Sequence, residues 1–325
     1  MNKQLTVWKL IAESLKQKTP VMLLYVLESS GSSPGRQGFF MAVNAQGEMQ
    51  GSIGGGIMEH KFVEMAKERL KLTTPEQTSG EIKKQIHDKS AAKNQSGMIC
   101  SGEQTIFLYP ISTRDENQIQ KIIATLEQNK NATLKLSPGG IKFSKSVIKQ
   151  DFRFQMISPV GWSYEERLGY KNRLSIIGGG HCALAVSNLM SQMDFYVSVY
   201  DDRKDLKTMI ENHAAHEKHF IDDYSELKNL IAGGTNHYVV IMTFGYRTDD
   251  IALRALLGKD FKYIGLLGSK SKVKEMFDSY RKEGIEQKLL QRIRTPVGIP
   301  IKSQTPEEIA VSIAAEIIQV KNSDL

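Results

Sequence analysis

This sequence predicts an α/β fold in two parts: an α+β domain first, then a doubly wound parallel sheet. Three observations carry that expectation. At 325 residues the chain is long enough for two cores. Its second half alternates short apolar runs with helical periods, as parallel strands joined by crossover helices do. Two glycine triplets, Gly54-Gly55-Gly56 and Gly178-Gly179-Gly180, each stand between an apolar run and a helix-like pattern.

Leu5 to Lys18 reads as an amphipathic helix, with Leu5, Trp8, Ile11 and Leu15 at helical spacing. Val21–Leu27 is a buried strand, and Glu28–Gly38 a Ser/Gly/Pro-rich loop. Phe39–Val43 and Met49–Ile53 are strands about an Asn44–Gly47 turn, and Ile57–Leu70 is a helix. Glu103–Tyr109 is a further strand, Ser137–Gly140 turns a hairpin, and Phe152–Ile157 closes the sheet. The N-terminal domain is placed at residues 1–158 and a polar linker at 159–171. Residues 172–325 form the Rossmann-like domain, with strands at Leu174–Ile177, Tyr196–Tyr200, Phe220–Ile221, Tyr238–Phe244 and Tyr263–Leu267. Thr305, Pro306 and Glu308 supply a capping box and an N1 proline for the last helix, Pro306–Val320.

Composition excludes several classes. No apolar run approaches the roughly 20 residues of a membrane span. The first residues lack the apolar core of a secretory signal, so a cytoplasmic location is expected. The net charge of +7 is spread along the chain, unlike the clustered Lys/Arg of nucleic-acid binders. Cys100 and Cys182 fall in different halves, which speaks against a disulfide framework and permits no CxxC metal site. No GxSxG elbow, Walker lysine or facial His/His/carboxylate pattern occurs. His213, His216 and His219 read as a solvated helix end rather than a metal site.

The second triplet continues as Gly178-Gly179-Gly180-His181-Cys182-Ala183, a G-x-G-x-x-A match. A strand precedes it, a helix follows, and Asp201 lies 21 residues after Gly180, where a carboxylate would take a ribose hydroxyl. Arg203 could accept a phosphate or pair with Asp201 or Asp202; His181 could donate to a phosphate or sit as an exposed cap. In the first half, Ser33 and Arg36 lie in a loop able to cradle phosphate. Glu59 follows Gly54-Gly55-Gly56, either to bond an amine or pterin-like edge or to satisfy backbone amides. Cys100 precedes a strand as a buried thiol or a soft-metal ligand.

These segments together resemble the xanthine dehydrogenase accessory factor family, also called XdhC/CoxI. The resemblance rests on Gly31–Pro34, Gly51–Glu59, Gly97–Gly102, Gly178–His181, Tyr200–Arg203, Tyr263–Lys270 and Thr305–Ile317. It implies a non-enzymatic factor that binds molybdenum cofactor, supports its sulfuration by a cysteine desulfurase, and delivers it to a xanthine dehydrogenase-type molybdenum hydroxylase. Cys100 retains the thiol of the family's Cys-Gly-Gly segment and is the candidate metal ligand, and a homodimer is expected. An NAD(P)-dependent oxidoreductase and a protein-binding adaptor are the alternatives. The chain departs from the family pattern in three places. Ile57 stands where many relatives have cysteine, Cys100-Ser101-Gly102 replaces Cys-Gly-Gly, and Thr243-Phe244 replaces Thr-His.

Overall fold

The computed structural model describes residues 3–72, 79–86 and 102–323. They fall into two compact units, one ending at Gly169 and one starting at Tyr170. The first runs α1 (Lys3–Lys16), β1 (Val21–Gly31), β2 (Phe40–Asn44), β3 (Met49–Gly51), α2 (Gly56–Leu72), β4 (Glu81–Ile86), β5 (Gly102–Ile111), α3 (Glu116–Glu127), β6 (Ala132–Ser137), β7 (Gly140–Ser144), β8 (Phe152–Ser158) and β9 (Gly161–Leu168). Its described strands form two sheets, ordered β3-β2-β1-β5-β4 and β7-β6-β9-β8.

The apolar run Val21–Leu27 is explained by burial on both faces of the first sheet. Val21, Leu23, Tyr25 and Leu27 enter a core shared with α1, α3 and the second sheet. Met22, Leu24 and Val26 enter another, under α2. Period-two alternation sorts them. Phe152–Ile157, expected in the first sheet, pairs with β9 in the second.

Residues 159–171, expected as a linker, are largely strand β9, paired to β6 on one side and β8 on the other. Trp162, Tyr164 and Leu168 bury, and so does Glu166, which accepts from Tyr164 Oη (2.8 Å) and from Tyr25 of β1. A buried carboxylate at an inward position hides the alternation and makes a core strand read as polar.

The second unit is a parallel sheet, order β12-β11-β10-β13-β14-β15. Its strands are β10 (Asn172–Ile177), β11 (Phe195–Asp201), β12 (Glu217–Phe220), β13 (Gly234–Ile241), β14 (Phe261–Leu266) and β15 (Ile293–Arg294). The helices are α4 (His181–Ser191), α5 (Lys207–Ile210), α6 (Leu227–Leu230), α7 (Tyr246–Leu256), α8 (Lys270–Lys282), α9 (Gln287–Gln291) and α10 (Pro306–Asn322). One face packs under α4 and α10, the other under α7 and α8. The sheet is therefore doubly wound, and its order reverses between β10 and β13. Ligands of such sheets bind at that reversal, outside the carboxyl ends of the strands.

The histidine series does not lie on a helix. His219 is in β12, and His216 accepts from Val197 N (3.0 Å) beside Tyr170 Oη (2.6 Å). Burial pushes the His216 pKa down, which suits an acceptor nitrogen. Among the described residues, no helix is long and apolar enough to cross a membrane.

Candidate functional site

The first glycine loop is packed by its own chain. Gly54 has φ +131°, and a Cβ there would collide with the backbone of Pro34 and Gly35. Glycine is required for the two loops to touch. Gln104 of β5 donates to the carbonyls of both, Gly35 O (3.0 Å) and Ile53 O (3.2 Å). Glu59, in the first turn of α2, accepts from Ser52 Oγ (2.6 Å), Ile53 N (2.9 Å) and Gly55 N (3.0 Å). Of the two roles open to Glu59, the structure assigns it backbone amides. Ser33 is buried and donates to Gly35 O (3.1 Å), and Arg36 donates to Gly31 O (2.8 Å). Ser33, Arg36, Gly54, Gly55, Gly56 and Glu59 are thus brought together, as one braced turn. Cys100 lies outside the described residues.

The second loop is different. Gly178 lies at φ +103°, and a Cβ there would also strike the Met242 carbonyl, so a glycine lets β10 and β13 close up at the sheet reversal. Gly179 N donates to Asp201 Oδ2 (2.6 Å), and Thr208 Oγ1 donates to Gly179 O (2.6 Å). At Gly180 a Cβ would meet nothing within 4 Å. The first turn of α4 follows, with N–H groups that have no intrahelical partner.

Beside Gly180 opens a cavity of about 580 Å³. Gly180 and His181 line it from the loop after β10, and Arg203, Leu206, Lys207, Thr208 and Glu211 from the segment after β11. Met242, Thr243 and Phe244 line it from the loop after β13. Asp249, buried at the start of α7, fixes that last loop: it accepts from Thr243 N (2.9 Å) and Oγ1 (2.6 Å) and pairs with Lys272.

Asp201 does not offer its carboxylate to the cavity. It is fully buried. Oδ1 accepts from Arg203 N (2.9 Å) and Nε (2.8 Å), and Oδ2 from Arg203 Nη2 (2.7 Å) and Gly179 N. Burial pushes the Asp201 carboxyl up, but the Arg203 guanidinium and the two amides outweigh it and leave the pKa below the usual aspartate range. Sequence spacing offers Asp201 to a ribose hydroxyl; in this structure its carboxylate is paired with Arg203 and the Gly179 amide.

Sequence spacing brings His181, Asp201 and Arg203 to the second loop and misses Leu206, Lys207, Thr208 and Met242, which no spacing rule ties to it. Thr243-Phe244 stands out in the sequence only as a departure from the family pattern. Cys182 sits in the first turn of α4, where burial, then Glu307, pushes its thiol pKa up, away from nucleophile chemistry. Among the described residues, no three His, Cys, Asp or Glu side chains group to hold a metal ion.

Both units match known families: the XdhC and CoxI family over residues 14–79 and the XdhC Rossmann domain over residues 174–317. The uncharacterized protein YqeB of Escherichia coli (strain K12) is 25% identical over 309 residues, 95% of this chain and 45% of that protein. A probable xanthine dehydrogenase subunit from Bacillus subtilis (strain 168) is 29% identical over 157 residues, 48% of this chain and 45% of that protein. The chain spans about half the length of these curated relatives. A crystal structure of a xanthine dehydrogenase (BH1974) from Bacillus halodurans shares the fold, with a TM-score of 0.72 and 23% identity over 98% of this chain and 96% of that one.

Proposed function

The chain belongs to the XdhC and CoxI family, and on that premise we propose that it serves as an accessory factor for a xanthine dehydrogenase-type molybdenum hydroxylase. In this reading it binds molybdenum cofactor as cargo, holds it during sulfuration by a cysteine desulfurase, and delivers it to the client as a cytoplasmic homodimer. The observation that carries the reading is the cavity at the sheet reversal. Its wall combines cationic side chains (Arg203, Lys207) with apolar and aromatic ones (Leu206, Met242, Phe244). That mixture suits a flat pterin bearing a phosphate.

The purified chain, mixed with freshly released cofactor and passed through gel filtration, is expected to carry molybdenum and pterin in near-equal amounts. Retention of neither rejects the reading. An NAD(P)-dependent oxidoreductase has weaker support: the carboxylate that would hold the ribose of NAD is occupied by Arg203 and Gly179.

A further inference from the structure

We propose that the cavity beside Gly180 is a seat for a phosphomonoester carried on a flat heterocycle, and that it turns away an unesterified ribose diol. The proposal rests on the accessory-factor reading and names the ligand class and the recognition residues of the cavity that carries it.

The exclusion follows from Asp201. Each of its carboxylate oxygens already accepts two hydrogen bonds, and none of the residue reaches solvent. A ribose diol recognised in the usual way needs those acceptor positions. To enter, it would have to displace Arg203 from a buried carboxylate and leave that charge without its partner, which is costly.

The attraction follows from the same pair. Arg203 meets Asp201 side-on, through Nε and one Nη2 hydrogen. A guanidinium has five N–H donors in a planar fork. Its end-on edge, formed by Nη1 and the second Nη2 hydrogen, is therefore turned away from Asp201, and the side chain is partly exposed on the cavity wall. That edge matches two oxygens of a phosphomonoester. Asp202 stands 4.0 Å from Nε, on the side-on edge.

Lys207 and His181 share the wall with Arg203. Among the described residues, the one carboxylate lining the cavity is Glu211, which sits 3.8 Å from Lys207 in an exposed and hence weak pair. Room exists as well. Gly180 has an ordinary φ of −70° and open space where a side chain would stand, so neither strain nor packing accounts for its bareness.

Phe244 supplies the heterocycle platform. It is 88% exposed at the rim, with the Arg203 guanidinium 5.8 Å from its ring centre and Leu206 and Met242 lining the cavity beside it. An exposed aromatic ring held near a cation offers stacking to any flat base. Two ligand sources share this chemistry: a pterin with its phosphate, and an adenosine with a 2′-phosphate.

Calorimetric titration of the full chain separates the outcomes. 2′,5′-ADP and NADP⁺ are expected to bind at least about tenfold more tightly than adenosine and NAD⁺, the worth of one charge-assisted hydrogen bond. Arg203→Gln should lose at least about that factor for 2′,5′-ADP while gaining affinity for NAD⁺, because Asp201 is released. A residue that merely braced the loop would show the loss without the gain. Phe244→Ala, at an exposed site that leaves the core intact, should weaken every heterocyclic phosphomonoester by about tenfold.

Molybdopterin released from a denatured molybdoenzyme forms the second arm. If only the pterin binds, with the same dependence on Arg203 and Phe244, the seat stands with the pterin as its occupant; if only the nucleotide binds, the occupant is a nucleotide. Adenosine or NAD⁺ binding as tightly as 2′,5′-ADP overturns the proposal, as does a wild-type chain that binds neither phosphomonoester. Pterin retained equally by wild type and Arg203→Gln overturns the seat and leaves the accessory-factor reading standing.

Discussion

The two glycine triplets share a sequence signature and differ in what fills the space around them. Above Gly54 lies the chain itself, the backbone of Pro34 and Gly35, and the loop is braced by the Gln104 amide and the Glu59 carboxylate; at Gly55, held at φ +75°, a Cβ would meet nothing within 4 Å. Above Gly180 lies a cavity, walled by side chains from three different loops. Three glycines before a helix therefore report only that backbone comes close to something. Whether that partner is the protein or a ligand is decided by the surroundings of the missing Cβ.

The largest effects test what the loops have in common. Gly54→Ala and Gly178→Ala each place a Cβ against neighbouring backbone at a left-handed φ. Each should destabilise its own unit by about 3 kcal/mol or more, read as loss of one of two thermal transitions. A tolerated Gly54→Ala would mean that the first loop is looser than its contacts imply, and the contrast between the loops would fail.

Glu59→Ala comes next. Three donors lose their acceptor, two of them backbone amides, and the first unit should lose about 2–3 kcal/mol in denaturant unfolding. Ligand affinity at the second unit should not change. The opposite pattern, intact stability with cofactor retention abolished, would make the first loop a ligand site and break the comparison.

A smaller effect distinguishes the second unit by pH. Asp201 has its folded-state pKa below the ordinary range because its hydrogen bonds outweigh the cost of burial. A carboxylate shifted that way adds stability that is complete above its unfolded value of about 3.9 and is lost as pH falls through the folded value. The second unit should therefore weaken in acid below about pH 4, and Asp201→Asn should flatten that dependence while lowering stability at neutral pH. An unchanged acid profile in the variant would remove Asp201 from the account.

Much of this was legible in the residues. Strand, glycines, helix and acid across Leu174–Asp201 sit where the pattern put them, and the capping box at Thr305 and Glu308 is formed in both directions. Such features are local, so spacing reveals them. The cavity wall was not legible, because Thr208, Met242 and Phe244 meet only after β11 and β13 are laid beside β10. Asp201 shows a subtler limit. Its partner is two residues away, yet only the folded geometry chooses between a carboxylate free for ribose and one saturated by Arg203. Strand β9 failed for a third reason: Glu166 occupies an inward position that period-two reading reserves for apolar residues.

The smallest stability effect carries the sharpest form of the contrast. Gly180→Ala adds one methyl group where the φ is ordinary and no atom stands within 4 Å. Nothing in the free protein resists it, so unfolding should shift by no more than about 0.5 kcal/mol. If the space is there for a ligand, the methyl group intrudes on that ligand alone, and calorimetry should show affinity for 2′,5′-ADP or the pterin falling several-fold while the thermal transition stays in place. At Gly54 the two readouts cannot separate, because the added methyl meets the protein first. A Gly180→Ala chain that binds as tightly as wild type would show that the open space is unused, and that the second triplet, like the first, serves the fold.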